Sequence, residues 1–397
     1  MSLAFSLVHF YTLSGQFATQ KFVEEHACSF YIDCNKGPGA RLIHASVEYT
    51  VSDIVSSKDV HPIVHSFFDR GEKSVNYDGH TGPLLSVQVT ELIDGIFIGF
   101  TMNHTIADGT SFWHYITSLS EIFRQLKDDG ENEDECDVIP ISRKPILKTL
   151  FPDYDYDKIL KLPYLEPEEF IFRYDPGPLR QRIFRFSSKS IAMLKAQANE
   201  ECGNQNNISS FQALCALTWR SITRARNLSF DIDINLSVVM NTRPRINPPL
   251  PPEYFRCFFG GALSVSKVGD LLRNGLGHIA LLINKSIKMQ DDKVIRETAK
   301  QVEEMPRINP SGPNSPHYRP YGVTVSGSPR FDMYGPEFVL GKAVAVLAGD
   351  ANVEDGRVCA KPGRDGGGSV DLEICLNPET MNALEVDEEF MSFTSSM

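Results

Sequence analysis

The 397-residue sequence contains no apolar run approaching the ~18 residues that a membrane-spanning helix requires. Met1 to Tyr11 carries neither a positive leading segment nor a cleavage-site pattern, so a secretory leader is not expected. The eight cysteines form no CxxC pair and no ligand-like cluster, which excludes a zinc-ribbon spacing and points to reduced thiols in the cytosol. His61 and His65 stand four apart, but Pro62 lies between them and no third ligand is near, so no metal site is expected. Also missing are a P-loop, a G-x-G-x-x-G after a strand and a G-x-S-x-G elbow. Gly366-Gly367-Gly368 lies between strand-like runs and not ahead of a helix, which argues against phosphate cradling.

Positive charge is in deficit, with 39 Lys and Arg against 51 Asp and Glu and a net charge of −12. That balance excludes a general nucleic-acid binder. Seven of the negatives fall between Asp128 and Asp137, and without them the remainder carries only −5. Residues 127–137 therefore read as a solvated acidic loop that says little about the substrate. With 42% hydrophobic and 23% charged residues, the composition is that of a globular protein with chain enough for two or three domains.

Leu84 to Leu92 and Ile96 to Asn103 are apolar or alternating runs split by Ile93-Asp94-Gly95, which predicts a hairpin. A helix is predicted from Thr110 to Leu126, where Phe112, Tyr115, Ile116, Leu119 and Phe123 recur at three-to-four spacing. Pro140 to Pro178 is rich in Pro and Tyr without clean periodicity and reads as a long crossover. Beyond it come a strand at Gln181 to Phe186, helices at Ser188 to Glu200 and Ser209 to Arg226, and a strand at Ile232 to Met240. Ser209 or Ser210 caps the second of those helices. A single helix over Val268 to Lys288 and strands at Lys342 to Ala348 and Ser369 to Leu376 complete the reading. No internal repeat is present, and the fold class is α/β in two halves of similar size.

The sharpest chemical candidate is His104 followed four residues later by Asp108. The bare pattern also occurs at His65 and Asp69, so context decides between them. His104 stands where a strand gives way to a helix, and Gly109 allows backbone freedom or close approach at the turn. A histidine held there suits a general base at neutral pH.

Asn103-His104-Thr105-Ile106-Ala107-Asp108-Gly109-Thr110-Ser111-Phe112-Trp113 resembles the HxxxD signature of the plant BAHD acyl-CoA-dependent acyltransferases. His9 to Gly15 resembles that family's F-Y-P-L-A-G segment, and Ser210 to Trp219 its helix opening the second half. Asn241-Thr242-Arg243-Pro244-Arg245 with Pro248 to Pro251 resembles its N-x-R-x-R and PPLP stretch. Within the family the chain resembles an uncharacterised acetyltransferase-like branch. The resemblance implies two chloramphenicol-acetyltransferase-like domains, residues 1–165 and 181–397, joined by a crossover loop at 166–180. It implies an acyl-CoA co-substrate, a small-molecule acceptor from plant specialised metabolism, and no bound cofactor, metal or covalent intermediate. A cytoplasmic monomer is expected. His104 would be the base, while Asp108 would hold local geometry by pairing with Arg243, with Gly109 supporting the turn. Ser210, Arg256 and Phe338 are the candidates for substrate or CoA contacts.

The chain departs from the family pattern in two places. Glu337-Phe338-Val339-Leu340-Gly341 stands where D-F-G-W-G is usual, which implies altered packing and CoA affinity without automatic loss of activity. Tyr254-Phe255-Arg256-Cys257 stands where Y-F-G-N is usual. Arg256 either faces solvent, the simpler reading, or grips an anionic group. Because the F-Y-P-L-A-G-like segment begins at His9, the chain is expected to lack an N-terminal strand and helix start, on the order of forty residues, and to express poorly. A lyase on the same scaffold and a non-catalytic binding protein are the alternative functions. The acetyltransferase-like branch that the chain resembles also contains a Pseudomonas-susceptibility lyase, which lacks histidine at the signature position, so His104 favours transfer.

Overall fold

The computed structural model describes residues 1–69, 74–128, 138–149, 159–203, 208–309, 319–338, 340–349 and 353–395. The acidic run beyond Asp128 lies outside the described residues. The fold is mixed α/β, as the sequence patterns imply. Its first half holds α1 (Ser2–His9), β1 (Gln16–Phe22), β2 (Ala27–Asp33), β3 (Arg41–Ser46), α2 (Val51–Val55), β4 (Leu85–Glu91), β5 (Ile96–Met102) and α3 (Gly109–Asp128). The second half begins with β6 (Arg180–Phe186), α4 (Ser188–Glu201), α5 (Ser210–Ala225), β7 (Asp233–Asn241) and β8 (Phe259–Lys267). It continues with α6 (Val268–Arg273), α7 (Leu276–Lys288), α8 (Asp292–Glu304), β9 (Val323–Gly327), β10 (Arg357–Pro362), β11 (Val370–Leu376), α9 (Pro378–Leu384) and α10 (Glu388–Phe393).

In the first half, β4 and β5 form the expected antiparallel hairpin, and β3 joins β4 in parallel. Tyr115, Ile116, Leu119 and Ile122 of α3 are buried at helical spacing. Phe10, just beyond α1, packs edge-on against Tyr115 and Phe255 at centroid distances of 5.2 and 5.0 Å. The Tyr115 hydroxyl meets Ser6 Oγ at 3.1 Å, so the ring is buried with its polar end satisfied.

The second half is a six-stranded sheet in the order β6-β11-β10-β9-β7-β8. Its apolar face, including Leu372, Ile374, Val323, Val325, Leu236 and Val238, packs into one core with Leu214, Leu217 and Trp219 of α5. Ser209, not Ser210, caps α5: its hydroxyl accepts from Gln212 N at 3.2 Å and Gln212 returns the bond to Ser209 N at 2.9 Å. The segment entering β6 lies along the first half. Phe170 packs on Phe30 and Tyr77, and Arg180 forks onto Asp59 at 2.7 and 2.9 Å.

Two sequence expectations are corrected. The predicted helix over Val268 to Lys288 is two helices, broken at Asn274-Gly275. At the break the Glu201 carboxylate accepts from Gly277 N at 2.7 Å in the first turn of α7, and a Cβ on Gly275 would stand 2.5 Å from that carboxylate. Lys342 to Ala348 is not a strand. Its main chain is held instead by a buried ion pair on the polar side of the sheet, Lys361 with Glu373 at 2.6 Å. Lys361 Nζ donates to Val346 O at 2.6 Å, and Glu373 accepts from Ala348 N at 3.0 Å. Burial alone lowers the pKa of Lys361, but attraction to Glu373 outweighs it and holds the ammonium above its ordinary value.

Removing one partner of such a pair leaves a buried uncompensated charge, so Glu373→Ala is expected to lower stability by about 3–5 kcal/mol. Chemical denaturation measures this, and an unchanged midpoint would refute the role assigned to the pair.

Candidate active site

β5 ends at Met102, and the chain turns through Asn103-His104-Thr105 before α3. Asn103 is buried and builds the turn: its side-chain oxygen accepts from Thr105 N at 3.1 Å and Thr105 Oγ1 at 2.8 Å. Its amide nitrogen donates to Asn76 O at 2.7 Å, and His104 N donates to Asn76 Oδ1 at 3.3 Å. The backbone of His104 is thereby fixed while its side chain stays exposed. The imidazole lies edge-on to Phe259, with centroids 5.7 Å apart, and its Nδ1 stands 3.5 Å from Cys257 Sγ. Among the described residues, Nε2 has no protein hydrogen-bond partner.

Asp108 does not meet His104. Its carboxylate lies at the start of α3, where Oδ1 accepts from Ser111 N at 3.0 Å. Arg243, only 1% exposed, reaches it from the second half with a two-pronged contact of 2.6 and 3.1 Å. Phe258 N adds a fourth bond to Oδ2 at 2.8 Å. With both oxygens occupied, this carboxylate cannot also orient the histidine.

Arg243 is held as thoroughly. Its guanidinium donates to the carbonyls of Tyr254, Arg256 and Phe258 at 2.9–3.2 Å and to Ser111 Oγ at 3.1 Å. The segment from Tyr254 to Phe258 therefore wraps the arginine, and this wrapping delivers Cys257 to the histidine.

The remaining predicted residues separate into different settings. A Cβ on Gly109 would come within 3.2 Å of the Phe331 ring, so close approach, and not a left-handed backbone, is what calls for glycine there. Arg256 is half-buried and not solvent-facing, and its guanidinium donates to Leu147 O, tying the wrapped segment to the first half. Phe338 packs between Phe100 and Phe123, while Ser120 Oγ on α3 bonds both the amide and the carbonyl of Glu337 at 2.9 and 2.8 Å. The Glu337-Phe338 stretch thus docks the second half on α3. Ser210 opens α5, and no contact joins it to His104, Asp108 or Arg243 among the described residues.

Sequence reasoning missed Cys257 and Phe259 as neighbours of His104, and no local signal could have found them across 150 residues. Asn103 was legible in principle, as an Asn placed to make an Asx turn. The nearby His114 is buried, and its Nε2 donates to Arg143 O at 2.8 Å. Burial lowers its pKa, and the same burial, with Nε2 on the Arg143 carbonyl, keeps the ring from a substrate. A cleft of about 670 Å3 whose lining includes Arg224, Asp387 and Glu389 lies elsewhere, and there Arg224 pairs with both of those carboxylates.

The profile described as Transferase family matches residues 1–391. An uncharacterised acetyltransferase of Arabidopsis thaliana is 34% identical over 98% of this chain and 85% of its own length. BAHD acyltransferase DCR of the same plant is 32% identical over 80% of this chain and 64% of its own. The chain belongs to the BAHD acyltransferase family. The BAHD fold also appears in the crystal structure of F. sporotrichioides TRI101 complexed with coenzyme A and T-2. That structure matches with a TM-score of 0.69 and 17% identity over 99% of this chain and 90% of that one.

In this BAHD chain the Asp108–Arg243 pair joins the start of α3 to the second half. Asp108→Ala is expected to destabilise the fold by about 3–5 kcal/mol by stranding a buried guanidinium. Thermal melting and soluble yield report it. A normal melt with lost turnover would mean that Asp108 acts in the chemistry instead.

Proposed function

We propose that the protein transfers an acyl group from acyl-CoA to a hydroxyl or amine of a small plant metabolite, with His104 as general base. The observation that carries this reading is the exposed His104 imidazole, held at one ring nitrogen while Nε2 has no partner among the described residues. Nε2 removes the proton of the acceptor as its oxygen or nitrogen attacks the thioester carbonyl. The carbon–sulfur bond then breaks, and the proton passes from Nε2 to the departing CoA thiolate. Phe259, 49% exposed beside the imidazole, offers an apolar wall to the acyl group or the acceptor body.

In this scheme residues 1–165 and 181–397 act as two domains, with 166–180 as their link and the chemistry at their junction. The joint contribution of His104 from one half and Cys257 and Phe259 from the other supports that arrangement. The enzyme is proposed to work as a cytosolic monomer. The seven described cysteines are all free thiols, which suits a reducing compartment. No described helix is long and apolar enough to cross a membrane.

The test is CoA release from acetyl-, malonyl- or benzoyl-CoA, followed with a thiol reagent and accelerated by a phenol or amine. His104→Ala is expected to lower turnover about 10²-fold or more with an unchanged melt, since its side chain is exposed. Near-full activity in that variant sinks the mechanism. Silence of the wild type across broad donor panels, with cleavage of a conjugate without CoA, would replace transfer with the lyase reading.

A further inference from the structure

The base reading of His104 leaves open what fixes its proton. A base acting through Nε2 must carry its proton on Nδ1, and a neutral imidazole otherwise divides between the two forms. The usual remedy is a hydrogen-bond acceptor facing Nδ1. Asp108 cannot serve, because its oxygens already accept from Arg243, Phe258 and Ser111. The group that does face Nδ1 is Cys257 Sγ, at 3.5 Å. It stands where the Y-F-G-N pattern carries asparagine, whose side-chain oxygen is likewise an acceptor.

We infer that Cys257 is a positioning residue for the acyl transfer: its sulfur accepts the hydrogen bond of His104 Nδ1–H and so leaves the Nε2 lone pair facing the reactants. The inference rests on His104 acting as the base. Three features of the structure support it. The segment carrying Cys257 is immobilised on both sides, since the Arg256 and Phe258 carbonyls both accept from Arg243. Phe259 meets the imidazole edge-on and limits rotation of the ring away from the sulfur. Burial, aided by the nearby Asp108 charge, pushes the Cys257 thiol up to about 12, so the sulfur stays uncharged and acts as a partner and not as a nucleophile. When Nε2 takes the acceptor's proton, the Nδ1–H bond to sulfur becomes charge-assisted, so the contact strengthens as the reaction proceeds.

The direct test needs no substrate. Long-range 15N–1H spectra of ring-labelled protein, with the His104 signals assigned by their loss in His104→Ala, report which nitrogen bears the proton. Nδ1–H is expected in the wild type, with a shift toward Nε2–H in Cys257→Ala and a return to Nδ1–H in Cys257→Asn. Kinetically, Cys257→Ala is expected to lower kcat about 3- to 10-fold with KM unchanged, and Cys257→Asn to recover most of it. An Nε2–H ring in the wild type, or the same tautomer with and without the cysteine, overturns the inference. Failure of the base reading shows separately, as full turnover by His104→Ala.

Discussion

The Arg243 guanidinium, buried at the junction of the two halves, is the contact on which the arrangement of this site depends. It is stable there only because every face of the ion is answered: a carboxylate on one side and three main-chain carbonyls around it. A buried charge held this completely is costly to disturb and fixes the position of whatever it touches. What it touches is the start of α3 from the first half and the Tyr254–Phe258 segment from the second. The geometry around His104 follows from those two attachments.

This arrangement divides the labour within the signature. His104 and Asp108 are four residues apart, yet their side chains serve different purposes. The strand end and the Asn103 turn fix the His104 backbone and leave its imidazole exposed. The helix start turns Asp108 inward, where it caps α3 and binds Arg243. A catalytic relay between them would need a free carboxylate oxygen, and neither is free. The second half brings Cys257 and Phe259 to the imidazole. The Glu337-Phe338 stretch, clamped by Ser120, is a further attachment between the halves. It attaches through the Phe338 ring and the Glu337 main chain.

Local patterns made much of this legible. The β4–β5 hairpin, α3, α5 and the strand-to-helix turn at His104 were readable because apolar spacing, capping serines and turn residues act within a few positions. The pairing of Asp108 with Arg243 came from the family likeness and not from spacing, since 135 residues separate them. β8 escaped notice because Gly260 and Gly261 interrupt its alternation, and its large apolar residues Leu263 and Val265 face outward while Ala262 and Ser264 are buried. Lys342 to Ala348 has a strand's composition, but Lys361 and Glu373 take up its backbone groups, and nothing local announces that. The role of Arg256 was equally tertiary: its carbonyl partner, Leu147, is supplied by the other half.

A structure with a non-hydrolysable acyl-CoA analogue and an acceptor bound together tests the central claim most directly. The nucleophilic oxygen or nitrogen of the acceptor is expected within about 3.2 Å of His104 Nε2, with Nδ1 still on Cys257 and Asp108 still on Arg243. Reacting atoms bound away from Nε2, or Asp108 released from Arg243 to join the imidazole, would contradict it.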